Sequence, residues 1–190
     1  VLGYNRFELM GQTRDDAAGE AFDKIARVMG YPYPGGPQID KLAALGNADA
    51  VVFPKALHER NNFEFSFSGL KSAVLNYLQR GETYSPEDVA ASFQKTVVET
   101  LVEKTVNAAE LSGLRTVVLA GGVAANRGLT QAMETACKEK GYTFYKPEPI
   151  LCTDNGAMIG CRAYYMAQDG RFADMTLNAK PALSLTGTET

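Results

Sequence analysis

Thr116–Tyr145 reads TVVLAGGVAANRGLTQAMETACKEKGYTFY, and it decides the class of the fold. Thr116–Ala120 is a short apolar run of the kind that forms a buried parallel strand. Gly121-Gly122-Val123-Ala124-Ala125-Asn126 turns it into a helix ending near Gly141, and Tyr142–Tyr145 supplies another strand. Strand, helix and strand in this order predict a parallel α/β unit. Lys146–Cys152 follows as a Pro-rich loop, and Asp154–Gln168 as a helix with Thr153 as its expected cap. Beyond Arg171 the pattern fades, so the tail over 171–190 is expected to be irregular.

Working back toward the N-terminus, Ser85-Pro86-Glu87-Asp88 is a helix start with a Ser cap, Pro in the first turn and acids at the positive end of the dipole. That helix should run to about Leu111, where Gly113 stops it. Phe63, Phe65 and Phe67 alternate with polar residues as in a half-buried strand, and Ser68 is placed to cap a helix from Gly69 to about Gln79. Tyr4–Met10 also reads as a strand. Between them lies DDAAGEAFDKIARVMGYPYPGGP, Asp15–Pro37. Ala18, Phe22, Ile25, Ala26 and Met29 recur at helical spacing and form a core stripe, while Asp16, Glu20 and Asp23 lie elsewhere on the surface. Asp15 and Asp16 are expected in helix-start roles. The segment Tyr31–Pro37 reads as a rigid loop whose glycines let a ligand approach the main chain, with another short helix from Pro37 to Gly46.

The chain has 190 residues, 45% of them hydrophobic, which is enough for one domain with a real core or for a large piece of a bigger protein. A net charge of −3 gives no electrostatic footprint for nucleic acid, and no apolar run approaches membrane-spanning length. Cys137, Cys152 and Cys161 form no CxxC pair; ordinary packing in a reducing, cytoplasmic setting is expected. His58 is the single histidine, and His58-Glu59-Arg60-Asn61-Asn62 lacks the second histidine of a zincin motif. The same scarcity argues against a Ser/His/Asp triad.

Two strand-to-helix junctions could carry chemistry. At Gly121–Asn126 the glycines expose backbone and Asn126 offers both donor and acceptor, where ligands of open α/β sheets bind; a tight turn with an Asn cap explains it equally well. At Thr153-Asp154-Asn155-Gly156, Asp154 is either a helix cap or one carboxylate ligand of a metal ion.

Six segments in order, DDAAGEAFDK, PYPGGP, FSFSGLK, AASFQ, GGVAANRGL and CTDNGAM, resemble the TsaD/YgjD family of tRNA threonylcarbamoyladenosine enzymes, over nearly the whole chain to about Gly160. The resemblance implies an α/β fold of the actin-like ATPase and sugar-kinase type, with a mixed sheet, flanking helices and a helical insertion over about 37–112. It implies transfer of a threonylcarbamoyl group from threonylcarbamoyl-AMP to N6 of adenosine 37 in tRNAs reading codons that begin with A. Carried over residue by residue, the substrate contacts fall on Asp23, Gly36, Asp40 and Asn126, and the metal-binding aspartate on Asp154. No catalytic residue is carried over. The implied cofactor is one divalent metal ion, iron first and zinc or magnesium otherwise. The implied partners are tRNA, threonylcarbamoyl-AMP and, in bacteria, a paralogous TsaB-type subunit and a TsaE-type ATPase.

Members also carry a HxxxH pair and a Gly-Gly-His-Thr loop, and this sequence has neither. Residues 1–170 are therefore expected to be the C-terminal domain of a longer protein, inactive alone, with Asp154 a poor metal site by itself and with exposed apolar faces that could drive self-association. The competing expectations are a nucleotide-binding or assembly module and a segment of a sugar-kinase-like phosphotransferase.

Overall fold

The computed structural model describes residues 1–4, 6–80 and 83–179. The chain divides into two compact units, Gly11–Cys152 and a second one formed by Val1–Met10 with the residues from Thr153 onward. The larger unit contains α1 (Ala18–Val28), α2 (Gly35–Ala43), α3 (Ser68–Leu78), α4 (Pro86–Leu111), β1 (Thr116–Val118), α5 (Arg127–Lys140) and β2 (Thr143–Tyr145). The smaller unit contains α6 (Gly156–Gln168).

Helix α4 is the spine of the larger unit. Its 26 residues begin as the sequence predicts: Ser85 Oγ accepts the Asp88 N–H at 3.2 Å, Pro86 opens the first turn, and Glu87 and Asp88 sit at the positive end. It stops where Leu114 N–H reaches back to Ala109 O at 2.9 Å, with Gly113 at φ +66° between them. Its first half packs Val89, Ala90, Phe93 and Val97 against Phe22 and Ile25 of α1, Ile39 of α2, and Leu70 and Val74 of α3. Further along, Val98 and Ala109 pack with Val117 of β1 and Leu129, Met133 and Cys137 of α5. One helix thus joins two apolar clusters, and Leu101 borders both.

β1 and β2 are parallel, with Thr116 opposite Thr143, Val117 opposite Phe144 and Val118 opposite Tyr145. Helix α5 connects them, capped by Asn126 and ended by Gly141. This is the expected α/β unit, and among the described residues the sheet has these two strands. β1 is not wholly buried as expected. The pleat turns Val117 into the core and leaves Val118 64% exposed, because α4 and α5 cover the face on which Val117 lies.

Several expected boundaries are corrected. No strand forms among the described residues of Tyr4–Met10: Arg6 makes one isolated bridge, to Gly3, and no neighbouring strand among the described residues pairs with the segment. Instead Tyr4 stacks on Tyr165 of α6, and its carbonyl accepts from Arg162. Phe63–Phe67 is likewise reduced to one bridge, Thr13 to Phe65. Pairing ends there because Asp15 captures the donors of the next three residues. Its Oδ1 accepts Phe67 N–H at 2.8 Å and Ser68 N–H at 3.2 Å, and its Oδ2 accepts the Ser66 and Ser68 hydroxyls. Asp15 therefore caps α3, not its own helix, and Ser68 is the first helical residue rather than the cap. Helix α2 spans Gly35–Ala43 instead of Pro37–Gly46, and α6 is capped by Asn155, whose Oδ1 accepts Met158 N–H at 2.9 Å, rather than by Thr153. Residues 171–179 carry no helix or strand; 180–190 lie outside the described residues.

Candidate functional site

Four elements of the larger unit bring polar side chains to one place. Asp23 stands on α1 beside the buried stripe of Phe22, Ile25 and Ala26. Its Oδ1 accepts the Gly35 N–H at 2.7 Å and the Gly36 N–H at 3.3 Å, so a carboxylate on one helix caps the next. The first-turn N–H groups of α2 would otherwise lack partners, and the positive helix end favours the anion. A Cβ at Gly35 would lie 2.5 Å from Ala26 Cβ and 2.7 Å from Asp23 Cα, so only glycine fits there. A Cβ at Gly36 would meet nothing within 4 Å, which leaves that stretch of backbone open to a ligand.

Asp40 lies one turn beyond Gly36 on α2. Its Oδ1 accepts Asn126 Nδ2 at 3.3 Å and its Oδ2 accepts Arg127 Nε at 2.7 Å. Asn126 Nδ2 also donates to Gln94 Oε1 of α4 at 2.7 Å, while its Oδ1 accepts Leu129 N–H at 2.8 Å. The Asn cap and the polar contact are thus one residue acting twice. Before it, Gly121 adopts φ +86°, a conformation that side chains rarely take, and the turn Gly122–Ala125 follows. Val123 of that turn packs against α1, with its Cγ2 3.2 Å from where a Cβ on Gly19 would stand. Gly19 and Asp23 are one turn apart, so the Gly121–Asn126 turn rests on the helix that carries Asp23.

The family model described as "TsaD: tRNA N6-adenosine threonylcarbamoyltransferase" matches residues 1–161. The chain belongs to the TsaD family. Relatives named tRNA N6-adenosine threonylcarbamoyltransferase include those of Clostridium beijerinckii, 49% identical over 189 residues, Symbiobacterium thermophilum, 52% over 188, and Moorella thermoacetica, 54% over 181. The alignments cover 97%, 97% and 93% of this chain but 56%, 55% and 53% of those proteins. The chain therefore spans about half the length of the relatives it matches. Among solved structures, HypF of T. kodakarensis aligns at TM-score 0.60 and 22% identity over 82% of this chain and 20% of its own. A full-length HypF in a phosphate- and nucleotide-bound form aligns at 0.60 and 18%, over 83% and 21%. These likenesses support the α/β fold.

Of the candidate residues expected from the sequence, Asp23, Gly36, Asp40 and Asn126 all lie in the Gly11–Cys152 unit, on α1, α2 and immediately before α5. Gly36 belongs to the first turn of α2 rather than to a loop, because Asp23 supplies the cap that starts the helix at Gly35. Asp154 belongs to the smaller unit and is exposed, immediately before the capping Asn155. Among the described residues no group of three or more His, Cys, Asp or Glu is placed to hold a metal ion. The donor set around Asp154 by itself does not fit a metal centre.

Sequence reading passed over Gln94, Arg127 and Gly19. Gln94 lies on α4 between the fully buried Phe93 and Val97, but the surrounding VAASFQKTVV also holds Ser92, Lys95 and Thr96, so its polarity alone does not mark it out. Arg127 comes directly after the Asn cap. His58 sits in a segment held by Lys104, whose ammonium donates to Leu57 O and Asn62 O and lies 5.8 Å over the Phe65 ring. Burial pushes the Lys104 pKa below its ordinary value. Cys137 and Cys152 are buried as expected, but Cys161 is exposed on α6.

Proposed function

We propose that the Gly11–Cys152 unit is one wall of an adenylate site, in a protein that transfers threonylcarbamoyl from threonylcarbamoyl-AMP to N6 of adenosine 37 in tRNAs reading codons that begin with A. The observation that carries the reading is that α2 bears two hydrogen-bonded contacts, Gly36–Asp23 and Asp40–Asn126, with backbone left open at Gly36, Gly121 and Gly122. Both bonds from α2 end on Oδ1 of Asp23, and a carboxylate oxygen has two acceptor sites, so Asp23 and Asp40 keep capacity for ribose hydroxyls. The open glycines give a planar base or a phosphate room against the main chain. Membership of the TsaD family supplies the reaction class.

In this reading the chain is the C-terminal, actin-like domain of the protein, with a helical insertion over about 37–112 and a mixed sheet completed elsewhere. Asp154 contributes one ligand to a divalent metal ion, iron first. tRNA is the acceptor; a TsaB-type subunit and a TsaE-type ATPase are the proposed bacterial partners, and the cytoplasm is the proposed location. No helix among the described residues is long and apolar enough to cross a membrane.

The test is calorimetric titration of the chain with adenosine and AMP, repeated with Asp23→Ala and Asn126→Ala. Binding by the unaltered chain and its loss in both variants is the expected result. Equal binding by all three would overturn the reading. Supplied with threonylcarbamoyl-AMP, unmodified tRNA and the partner proteins, the 190-residue chain alone should give no turnover.

A further inference from the structure

Beside the Asn126 network the larger unit carries a cleft of about 250 Å³, between the start of α5 and the segment after β2. Its lining includes Arg127 and Glu134 of α5, and Lys146. Nothing in the proposed adenylate contacts uses it.

Two cationic side chains, Arg127 and Lys146, line the cleft with one acid, Glu134. Arg127 commits Nε to Asp40, and its side chain is still 69% exposed, so the two terminal nitrogens of the guanidinium keep their donors. Lys146 forms no ion pair among the described residues. Glu134 lies seven positions beyond Arg127, about two turns or ~10 Å down the helix, so the direct counter-charge of Arg127 is Asp40. The cleft also opens on the N-terminus of a 14-residue helix. The Asn126 cap takes the Leu129 N–H, and the N–H groups of Arg127 and Gly128 come earlier in the same positive turn.

We infer that Arg127 and Lys146 form a phosphate-binding subsite adjoining the adenylate wall. The inference rests on the proposed function for the identity of the neighbouring ligand. Two sources share the chemistry: the phosphate of the adenylate itself, or a phosphodiester of the RNA acceptor brought alongside it. Arg127 is the hinge between them, since the group that holds Asp40 in position is also the group that faces the cleft. For a chain of net charge −3, local cations of this kind are the means by which a polyanion is gripped at all.

The experiment titrates the chain and its Lys146→Ala and Arg127→Lys variants with adenosine, AMP and an unmodified anticodon stem-loop RNA, the last at several salt concentrations. If the adenylate phosphate is the occupant, Lys146→Ala weakens AMP about tenfold while adenosine is unchanged. If an RNA phosphodiester is the occupant, AMP is unchanged, RNA weakens, and the slope of log affinity against log salt falls by about 0.7–0.9. Arg127→Lys, which keeps the charge but loses the planar fork, should weaken the same ligand. Adenosine, AMP and RNA bound equally by all three proteins would overturn the subsite and leave the adenylate wall standing. Lys146-dependent RNA binding without adenosine binding would overturn the adenylate wall alone. Failure of the unaltered chain to bind any of the three would overturn both.

Discussion

Asn126 donates its side-chain amide to Asp40 across 86 positions of chain, at 3.3 Å, while its own carbonyl oxygen caps α5. A residue at a strand-to-helix turn and one inside another helix are thereby held as a unit. Asn126→Ala removes the cap and the amide together and should cost about 1–2 kcal/mol of stability. Asn126→Asp keeps an oxygen for the Leu129 N–H but sets a second carboxylate against Asp40. It should recover only part of the stability lost in Asn126→Ala, since the restored cap is offset by repulsion from Asp40. Urea midpoints of the three proteins at neutral pH check the ordering.

Gly35 and Gly36 are neighbours with opposite expectations. Gly35→Ala drives a methyl into Ala26 and the Asp23 backbone, and should destabilise the chain by about 1–3 kcal/mol through overpacking. Gly36→Ala meets open space and should leave the melting temperature unchanged or slightly raised. Its effect belongs to ligand: Gly36→Val should weaken AMP binding sterically while the fold persists. Thermal melts with parallel calorimetry separate the two positions.

How far the sequence could be read depends on where the relevant forces act. The 3.6-residue stripe of Phe22, Ile25 and Ala26, the Ser85 cap and the apolar run before Gly121 are local signals, and each produced the expected element. Capping from a distance is not local. Asp15 reaches Phe67 and Ser68 across 52 and 53 positions, and Asp23 reaches Gly35 across 12, so the starts of α3 and α2 were misplaced. Tyr4–Met10 has strand composition, but a strand also needs a partner edge, which composition does not report. Asp23, Gly36 and Asn126 stand inside contiguous motifs and Asp40 three residues beyond one, which is what makes them candidates from sequence. Gln94 and Arg127 acquire their roles through contacts with Asn126 and Asp40 that pattern alone does not reveal.

Asp15 carries an acid-sensitive part of the stability. Burial opposes its charge, but the hydroxyls of Ser66 and Ser68 and the N–H groups of Phe67 and Ser68 outweigh it and hold the carboxyl well below its usual range. A depressed folded-state pKa stabilises above the unfolded value and is lost as pH falls toward the folded one. The contribution should therefore be complete above about pH 5 and decline from about pH 4 downward. Asp15→Asn should lower stability at neutral pH and flatten that acid limb, as measured by urea midpoints between about pH 2 and pH 7. An unchanged limb would contradict the assignment.

The cysteines should differ in reactivity. Cys161 is exposed and should be labelled by a thiol reagent in the native state. Cys137 is fully buried, and desolvation raises its thiol pKa, so both access and thiolate fraction are against reaction. It should label only on unfolding. Mass spectrometry of labelled peptides, with and without urea, reads the order directly.

Asp154 and Asn155 adjoin in sequence, and the structure separates their tasks. Asn155 caps α6 through Met158 N–H, so Asn155→Ala should cost about 1 kcal/mol. Asp154 is exposed and takes no part in that cap, so Asp154→Ala should stay within about 0.5 kcal/mol of the unaltered chain. In a full-length TsaD family protein carrying this segment, the same Asp154→Ala change should lower metal content by elemental analysis and abolish threonylcarbamoyl transfer, with the melting of the metal-free protein unchanged. Asn155→Ala should show the converse pattern, reduced stability with metal retained. Full metal content in the Asp154→Ala protein would remove Asp154 from the proposed ligand set, since no other role in the described structure calls for a carboxylate at that position.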